Sequence, residues 1–116
     1  MAIIKAREIY SNVEQNAEIA EDGSQDFAVD NSATANKNKY GSMNTLLLVN
    51  RSSNAVRLTL DGQTFAELFA NSTLAINAED GLFFNLIRVT NLNSGAVCSA
   101  NAITVRYGRN LITGAI

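Results

Sequence analysis

Short runs in which apolar and polar residues alternate recur along the second half of the chain. In the segment AVRLTL, Val56, Leu58 and Leu60 alternate with Arg57 and Thr59. Successive side chains of a strand point to opposite faces, so the apolar set faces a core and the polar set faces outward. The segment therefore predicts a half-buried strand.

Three further segments carry a comparable signal. The alternation in AITVRY and in LFFNLIRVT predicts two more half-buried strands, the second with Phe83, Ile87 and Val89 directed inward. The segment TLLLV, residues 45–49, is apolar on both faces, which is typical of a central strand. These segments predict one buried set, which consists of Leu46, Leu48, Val56, Leu58, Leu60, Phe83, Ile87, Val89, Ile103 and Val105.

Shorter strands are predicted at residues 2–10, 16–20, 25–30, 64–69 and 73–77. Three Asp-Gly dipeptides, at residues 22–23, 61–62 and 80–81, mark turns, because glycine adopts positive φ at little steric cost. Strands spaced in this way predict an all-β protein. We expect a single antiparallel β-sandwich, jelly-roll-like, of about eight strands with an extended N-terminal arm.

The first 43 residues differ in composition from the rest of the chain. Most of the carboxylates fall before residue 31, and residues 31–43 hold almost no large apolar groups, which is typical of a loop or an extended arm. The segment NVEQNAEIAED, residues 12–22, also permits a short helix. The sequence therefore divides into an N-terminal arm with edge strands, residues 1–43, and a β-sandwich core, residues 44–116.

One hairpin formula occurs twice. The segment NRSSNAV, which starts at Asn50, returns as NLNSGAV, which starts at Asn91. Asn at the end of an incoming strand can bond to the backbone of the turn that follows. Two interpretations remain open: good hairpin turns reuse the same few residues, or both tips lie at one end of the sandwich and form a shared contact surface.

Composition and charge exclude several classes of partner. A chain of 116 residues fits one domain and can bury a core without disulfide or metal. The net charge of −2 supplies no basic field for nucleic acid and no attraction to an anionic membrane. No apolar run approaches the roughly 20 residues that span a bilayer. We expect neither nucleic acid nor membrane among the partners.

The residue types needed for most catalytic and metal sites are scarce. The chain has no histidine, and its one cysteine, Cys98, lies among small residues that favour a buried thiol without a reactive role. A carboxylate pair or a calcium site among Asp61, Glu67, Glu79 and Asp80 stays an alternative. Since these positions suit turns and an alternating strand, we expect no catalytic residue, no cofactor and no metal.

Three arginines, Arg57, Arg88 and Arg106, are predicted on outward sheet faces. They either face solvent or form part of a contact surface, where the planar guanidinium pairs with carboxylates across an interface. The acidic N-terminal segment of another subunit is a candidate source of those carboxylates. Its apolar residues Ile9 and Phe27 are candidates to fill pockets on that neighbour, with the arm adding strand edges by β-augmentation.

The run LLLVNRSSNAVRLTLDGQTFAELFANSTLAINAEDGLFFNLIRVTN is similar to small β-sandwich proteins of bacteriophage virions. The resemblance covers residues 44–92 and rests on three elements: an Asn-ended strand, a strand that closes on an Asp-Gly turn, and a Gly-aromatic strand that ends in Thr-Asn. It implies a capsid-associated role as a decoration, cement, spike-base or head-completion subunit, located in the virion after assembly in the host cytoplasm. It carries no catalytic residue across.

The functional expectation is therefore a non-enzymatic structural protein that fills or stabilises interfaces in a symmetric capsid-type assembly. Its expected partners are other copies of the chain, as a homo-oligomer, and other virion structural proteins. The interface candidates are Ile9, Phe27, Asn50, Arg57, Arg88, Asn91 and Arg106. The alternative is a carbohydrate- or receptor-binding sandwich module, against which the absence of Trp counts, because sugars stack on exposed aromatic rings.

Overall fold

A computed structural model describes residues 3–115, with side-chain surroundings for residues 7–111. The described residues form eight strands and one α-helix. The strands are β1 (Ile3–Gln15), β2 (Ser24–Phe27), β3 (Thr45–Asn50), β4 (Val56–Leu60), β5 (Gln63–Leu68), β6 (Ser72–Ile76), β7 (Ile87–Asn91) and β8 (Ile103–Ala115). The helix α1 covers Asn31–Tyr40, and a short 3-10 turn covers Ala78–Asp80. No helix of the described residues is long and apolar enough to cross a bilayer.

The strands form two four-stranded antiparallel sheets. The first sheet has the order β1-β8-β3-β6, and the second has the order β2-β7-β4-β5. The first strand pairs with the eighth, the second with the seventh, the third with the sixth and the fourth with the fifth. This winding is the arrangement of a jelly roll, in which two Greek keys close around one core. The predicted all-β sandwich of eight strands is confirmed.

The N-terminal residues supply one edge strand to each sheet of their own chain. β1 pairs with β8 from Ile3 opposite Ala115 to Gln15 opposite Thr104, and β2 pairs with β7. The helix permitted by residues 12–22 does not form, because the first of these residues continue β1. Farther along, a single bridge joins Ile19 to Cys98.

Residues 31–43 were predicted as a loop or an extended arm, and this prediction is wrong for most of the segment. The side chain of Asp30 caps α1 by accepting a 2.7 Å hydrogen bond from the Ala33 amide. The ammonium group of Lys37 donates to the carbonyls of Ala28 (2.8 Å) and Asn85 (3.0 Å). Only Ala33 of the helix is buried, so α1 carries no apolar period that sequence analysis could detect.

The core lies between the two sheets, and nine of the ten predicted core residues are buried in it. The exception is Phe83, which is exposed, whereas its neighbour Phe84 is buried. β7 begins only at Ile87, and residues 82–86 are irregular, with Phe84 held by an isolated bridge to Met43. Because the chain is not a strand before Ile87, the alternation extrapolated back to Phe83 selected the wrong phenylalanine.

Two backbone positions show why particular glycines are present. Asp61 and Gly62 both have positive φ, 50° and 83°, and together form the two-residue connection between β4 and β5. Gly108 pairs with Ser11, next to the β1–β8 register shift between Glu8 and Tyr10. A Cβ at Gly108 would overlap the carbonyl oxygen of Tyr10, so the close approach of β1 requires glycine there.

Candidate functional site

The topology sorts the connections into two groups at opposite ends of the sandwich. The β1–β2, β3–β4, β5–β6 and β7–β8 connections lie at one end, which we name the Asn end after its buried amides. The β2–β3 connection with α1, the β4–β5 turn and the β6–β7 connection lie at the other. We name this second end the apolar end for the side chains it exposes.

Asn50 organises the first of the repeated segments, which is the β3–β4 connection between the two sheets. The predicted hairpin is wrong here, because β3 and β4 do not pair with each other. Its side-chain oxygen accepts from the amide of Ser52 at 3.0 Å and from the hydroxyl of the same residue at 2.6 Å. Its side-chain nitrogen donates to the carbonyls of Asn54 (2.9 Å) and Phe69 (3.1 Å). One amide therefore closes the β3–β4 connection and ties it to the β5–β6 connection.

Asn91 does the same for the second repeated segment, the β7–β8 connection, which also crosses from one sheet to the other and is not a hairpin. Its side-chain oxygen accepts from the amide of Asn93 at 3.0 Å, again two residues ahead. Its side-chain nitrogen donates to the carbonyls of Ala96 (2.8 Å) and Ala20 (3.2 Å). The repeated sequence thus encodes one turn chemistry used twice, in which the side-chain oxygen starts the turn and the nitrogen holds a second loop.

Asn54 joins the tips of these two connections. Its side-chain nitrogen donates to the carbonyls of Ala96 (3.1 Å) and Val97 (3.0 Å), and its oxygen accepts from the side-chain nitrogen of Asn93 at 3.0 Å. Both tips therefore lie at one end, as one of the two interpretations required. Asn50 and Asn91 are buried, however, so their amides are not available to a partner and do not line a contact surface.

Further buried polar groups at the Asn end escaped the sequence analysis. Asn16 accepts from the Ile103 amide at 2.8 Å and donates to the Ser99 carbonyl at 2.9 Å, which links the β1–β2 and β7–β8 connections. Cys98 is buried, as predicted, and lies 3.7 Å from the Asn54 side-chain nitrogen. No signal in the sequence separates these Asn residues from exposed ones, because their burial depends on contacts between distant loops.

Each of the three arginines that were predicted on outward sheet faces has a carboxylate partner in its own chain. Arg57 pairs with Glu67 at 2.9 Å on the adjacent strand. The other two pairs, Arg88 with Asp26 at 2.7 Å and Arg106 with Glu8 at 3.7 Å, do use acids of the N-terminal segment. The charge pattern of that segment therefore finds its complement within the chain, because β1 and β2 lie beside the strands that carry these arginines.

The strongest of these pairs perturbs the titration of its acid. The guanidinium of Arg88 donates two hydrogen bonds to the carboxylate of Asp26, at 2.7 Å and 3.2 Å. These bonds hold the pKa of Asp26 below its ordinary value and raise the pKa of Arg88. Both side chains are exposed, so the pair is a local surface feature.

The two apolar candidates of the N-terminal segment both contact the core of their own chain. Phe27 is fully buried between the sheets, and Ile9 is partly buried and packs against the same core. Phe27 therefore occupies a pocket of its own sandwich in this structure, since β2 is paired with β7. Its place in the core follows from the alternation of β2, in which Phe27 is the buried residue.

The carboxylates considered for catalysis or calcium binding serve other roles. Asp61 accepts from the amides of Asn85 (2.9 Å) and Leu86 (2.8 Å), and Asp80 accepts from the Asn77 amide at 2.8 Å. Among the described residues, no three acidic or thiol side chains come together in a group that would hold a metal ion. These acids cap backbone amides, which is a structural use.

The apolar end exposes an apolar cleft of about 120 Å³. Val29 and Leu86 form its walls and are 58% and 57% exposed, whereas Phe27 and Ile87 form its buried base. Thr59, Gly62 and the Asp26–Arg88 ion pair complete the lining. The cleft combines apolar walls with a charge pair that is already neutralised, so it suits an uncharged apolar side chain.

A second concavity, the Phe83 groove, lies on the other side of the Asp61-Gly62 turn. Phe65, Leu82 and Phe83 line it and are all exposed, Phe83 to 58%. The guanidinium of Arg109 lies over the Phe83 ring, 5.2 Å from its centroid. Contiguous exposed apolar groups of this kind mark interaction sites more often than ordinary surface.

The outer face of the first sheet carries exposed apolar side chains beside the Arg106–Glu8 ion pair. Ala75, Leu47, Arg106 and Val13 lie side by side across the four strands, and Leu47 and Val13 are exposed. Such a face can pack against another flat surface.

Comparison with known protein families, curated proteins and solved structures finds no match to the chain.

Proposed function

We propose that this chain is a non-enzymatic structural protein of a virion, which fills or stabilises interfaces in a symmetric capsid-type assembly as a decoration, cement or vertex subunit. The observation that carries the proposal is the set of uncovered apolar surfaces on different sides of one small sandwich. A subunit with several neighbours needs several contact surfaces, whereas a simple dimer needs one.

The three surfaces differ in shape and direction. The apolar cleft and the Phe83 groove are concave and flank the Asp61-Gly62 turn, whereas the outer face of the first sheet is broad. Large exposed apolar patches on a folded domain mark contact surfaces or grooves. Their distribution supports contacts in more than one direction.

The charges support the same proposal. The arginines of the outer faces are paired with acids of their own chain, and the net charge is −2. A surface of this kind does not attract nucleic acid by counterion release. Interfaces formed by it would rest on apolar packing and shape, which suit a permanent assembly.

The fold and the sequence resemblance add to this support. Jelly-roll sandwiches occur in viral capsid proteins, and also in lectins and cupins, so the topology alone does not select a function. The likeness of residues 44–92 to small virion proteins favours the first of these. The exposed apolar side chains of the cleft and the groove are aliphatic residues and phenylalanine, which suit protein contacts.

The proposal is tested by mass photometry and sedimentation of the purified chain, alone and after addition to particles assembled without it. We expect defined oligomers or stoichiometric uptake by the particle. Leu47→Asp, Phe83→Asp and Leu86→Asp each place a charge on one apolar surface, and at least one of them should abolish the association. Ser94→Asp, an exposed change at the Asn end, is the matched control and should leave it intact.

Two results would contradict the proposed function. The first is a chain that stays monomeric at its highest soluble concentration and is taken up by no particle. The second is a hydrolytic turnover that disappears when Asp61 or Asp80 is replaced by Asn while the fold stays intact.

A further inference from the structure

The most exposed large apolar side chain of the described residues lies away from the apolar end. Phe69 is 81% exposed and belongs to the β5–β6 connection at the Asn end. Its carbonyl accepts a 3.1 Å hydrogen bond from the buried side chain of Asn50. The backbone is therefore held in place while the ring projects into solvent, which is the geometry of an anchor residue at an interface.

The apolar cleft has the dimensions of an aromatic ring. Its volume of about 120 Å³ is close to that of an apolar cavity that accepts benzene, roughly 150 Å³. Phe27 and Ile87 supply a dry base, and the exposed walls Val29 and Leu86 lose water when a ring enters between them. Arg88 at the rim favours an aromatic occupant over an aliphatic one, because a guanidinium is attracted to the face of a ring.

Phe69 cannot fill the cleft of its own chain. Gly62 of the cleft precedes β5 and Phe69 follows it, so the six residues of β5 separate them by about 20 Å. Because the Phe69 ring and the apolar cleft lie at opposite ends of one molecule, they meet only between two copies of the chain.

We propose that Phe69 of one copy inserts into the apolar cleft of a second copy. The other exposed aromatic rings of the described residues have contacts near their own positions: Phe83 lies under Arg109, Phe65 lines the same groove, and Tyr40 lies against Tyr10. Phe69 is the ring left with the largest surface to bury.

The contact is heterologous, because it uses different surfaces on the two copies. Each bound pair keeps one free Phe69 and one free cleft, so the interaction continues until a ring closes or an open filament forms. The inference rests on the proposed assembly function and specifies one of its contacts.

The test separates the two halves of the contact by mixing variants. Phe69→Ala keeps the cleft and removes the ring, whereas Leu86→Asp keeps the ring and places a charge in the cleft wall. Both positions are exposed, so both variants should retain the wild-type melting temperature. Ser53→Ala, an exposed change in the β3–β4 connection at the same end, is the control and should assemble as the wild type does.

In sedimentation velocity, we expect each variant alone to be monomeric, with an apparent dissociation constant at least tenfold higher than that of the wild type. The equimolar mixture should form a 1:1 dimer that does not grow, because it restores one complete contact. Assembly by Phe69→Ala alone, or a mixture that stays monomeric while the wild type assembles, would overturn the contact and leave the proposed function standing. A wild type that adds to particles but never associates with itself would also overturn only the contact. A wild type that does neither overturns both.

Discussion

The two ends of this sandwich differ in the side chains that their connections mainly bury and expose. The Asn end buries polar side chains, among them Asn16, Asn50, Asn54 and Asn91, while the apolar end exposes Val29, Leu82, Phe83 and Leu86. The difference shows that polarity alone does not decide burial. A polar group can be buried when each donor and acceptor has a partner, and no buried side-chain nitrogen or oxygen of the described residues lacks one.

The comparison assigns different roles to the two ends. At the Asn end, side-chain amides connect four loops and bond to groups of their own chain, so these amides are not available to a partner. At the apolar end, the loops leave apolar surface that the chain itself does not cover. Phe69 is the exception at the Asn end, since it is exposed beside a buried amide network.

The largest expected effect concerns two adjacent phenylalanines of the apolar end. Phe84→Ala removes a buried ring and should lower the free energy of unfolding by about 3–5 kcal/mol. Phe83→Ala removes an exposed ring and should cost less than about 1 kcal/mol, mostly the lost contact with Arg109. Urea unfolding followed by circular dichroism measures both, and equal losses would refute the assignment of burial at this end.

The next prediction tests whether the buried amides of the Asn end stabilise its loops. Asn91→Ala removes hydrogen bonds to the Ala96 and Ala20 carbonyls, which each keep one other donor, and leaves the Asn93 amide without its acceptor, so it should lower the free energy of unfolding by about 1–3 kcal/mol. The same substitution at Asn85, an exposed residue of the apolar end, serves as the matched control and should change it by less than about 0.5 kcal/mol. A neutral result at Asn91 would show that the amides do not hold the loops.

A pH dependence should arise where β1 and α1 meet. Burial and the hydrogen bond to Glu14 raise the pKa of Tyr107, and burial raises the pKa of Tyr10, although Arg109 opposes this second shift. A raised pKa means that the folded state keeps the proton where the unfolded state loses it. The contribution of these two tyrosines to stability should therefore be constant below about pH 10, the value for an unfolded tyrosine, and fall above it.

The measurement is the urea midpoint between pH 8 and pH 11. Tyr107→Phe, which cannot ionise at this position, should show a shallower decline than the wild type above pH 10. If the two curves are parallel, the hydroxyl of Tyr107 does not contribute to the pH dependence.

The smallest effect concerns the exposed ion pair at the cleft rim. Arg88 lowers the pKa of Asp26, so the pair stabilises the fold above the ordinary pKa of an aspartate and loses that contribution as the pH falls through the lowered value. Asp26→Asn should cause a slight drop in melting temperature at pH 7 and none in strong acid, as followed by calorimetry. Salt should reduce the difference, because exposed pairs are screened.

The sequence by itself determined the strands whose pattern is local. Alternation located β4, β7 and β8, an apolar run located the central strand β3, and the Asp61-Gly62 dipeptide located a two-residue turn. The repeated segments that start at Asn50 and Asn91 predicted two turns of one kind. In both, the Asn side-chain oxygen accepts a hydrogen bond from the backbone amide two residues ahead. These features depend on side-chain period and turn chemistry within a few residues.

Only the tertiary structure decided the features that depend on distant partners. The Asp30 cap and the hydrogen bonds of Lys37 stabilise α1. The bridge between Met43 and Phe84 places Phe84, and not Phe83, in the core. The tertiary structure also paired Arg88 with Asp26, sixty-two positions away along the chain. These features share one physical reason. The burial of a side chain and its ion pairs depend on loops and strands that the jelly-roll winding brings together, and a local sequence pattern does not identify those distant partners.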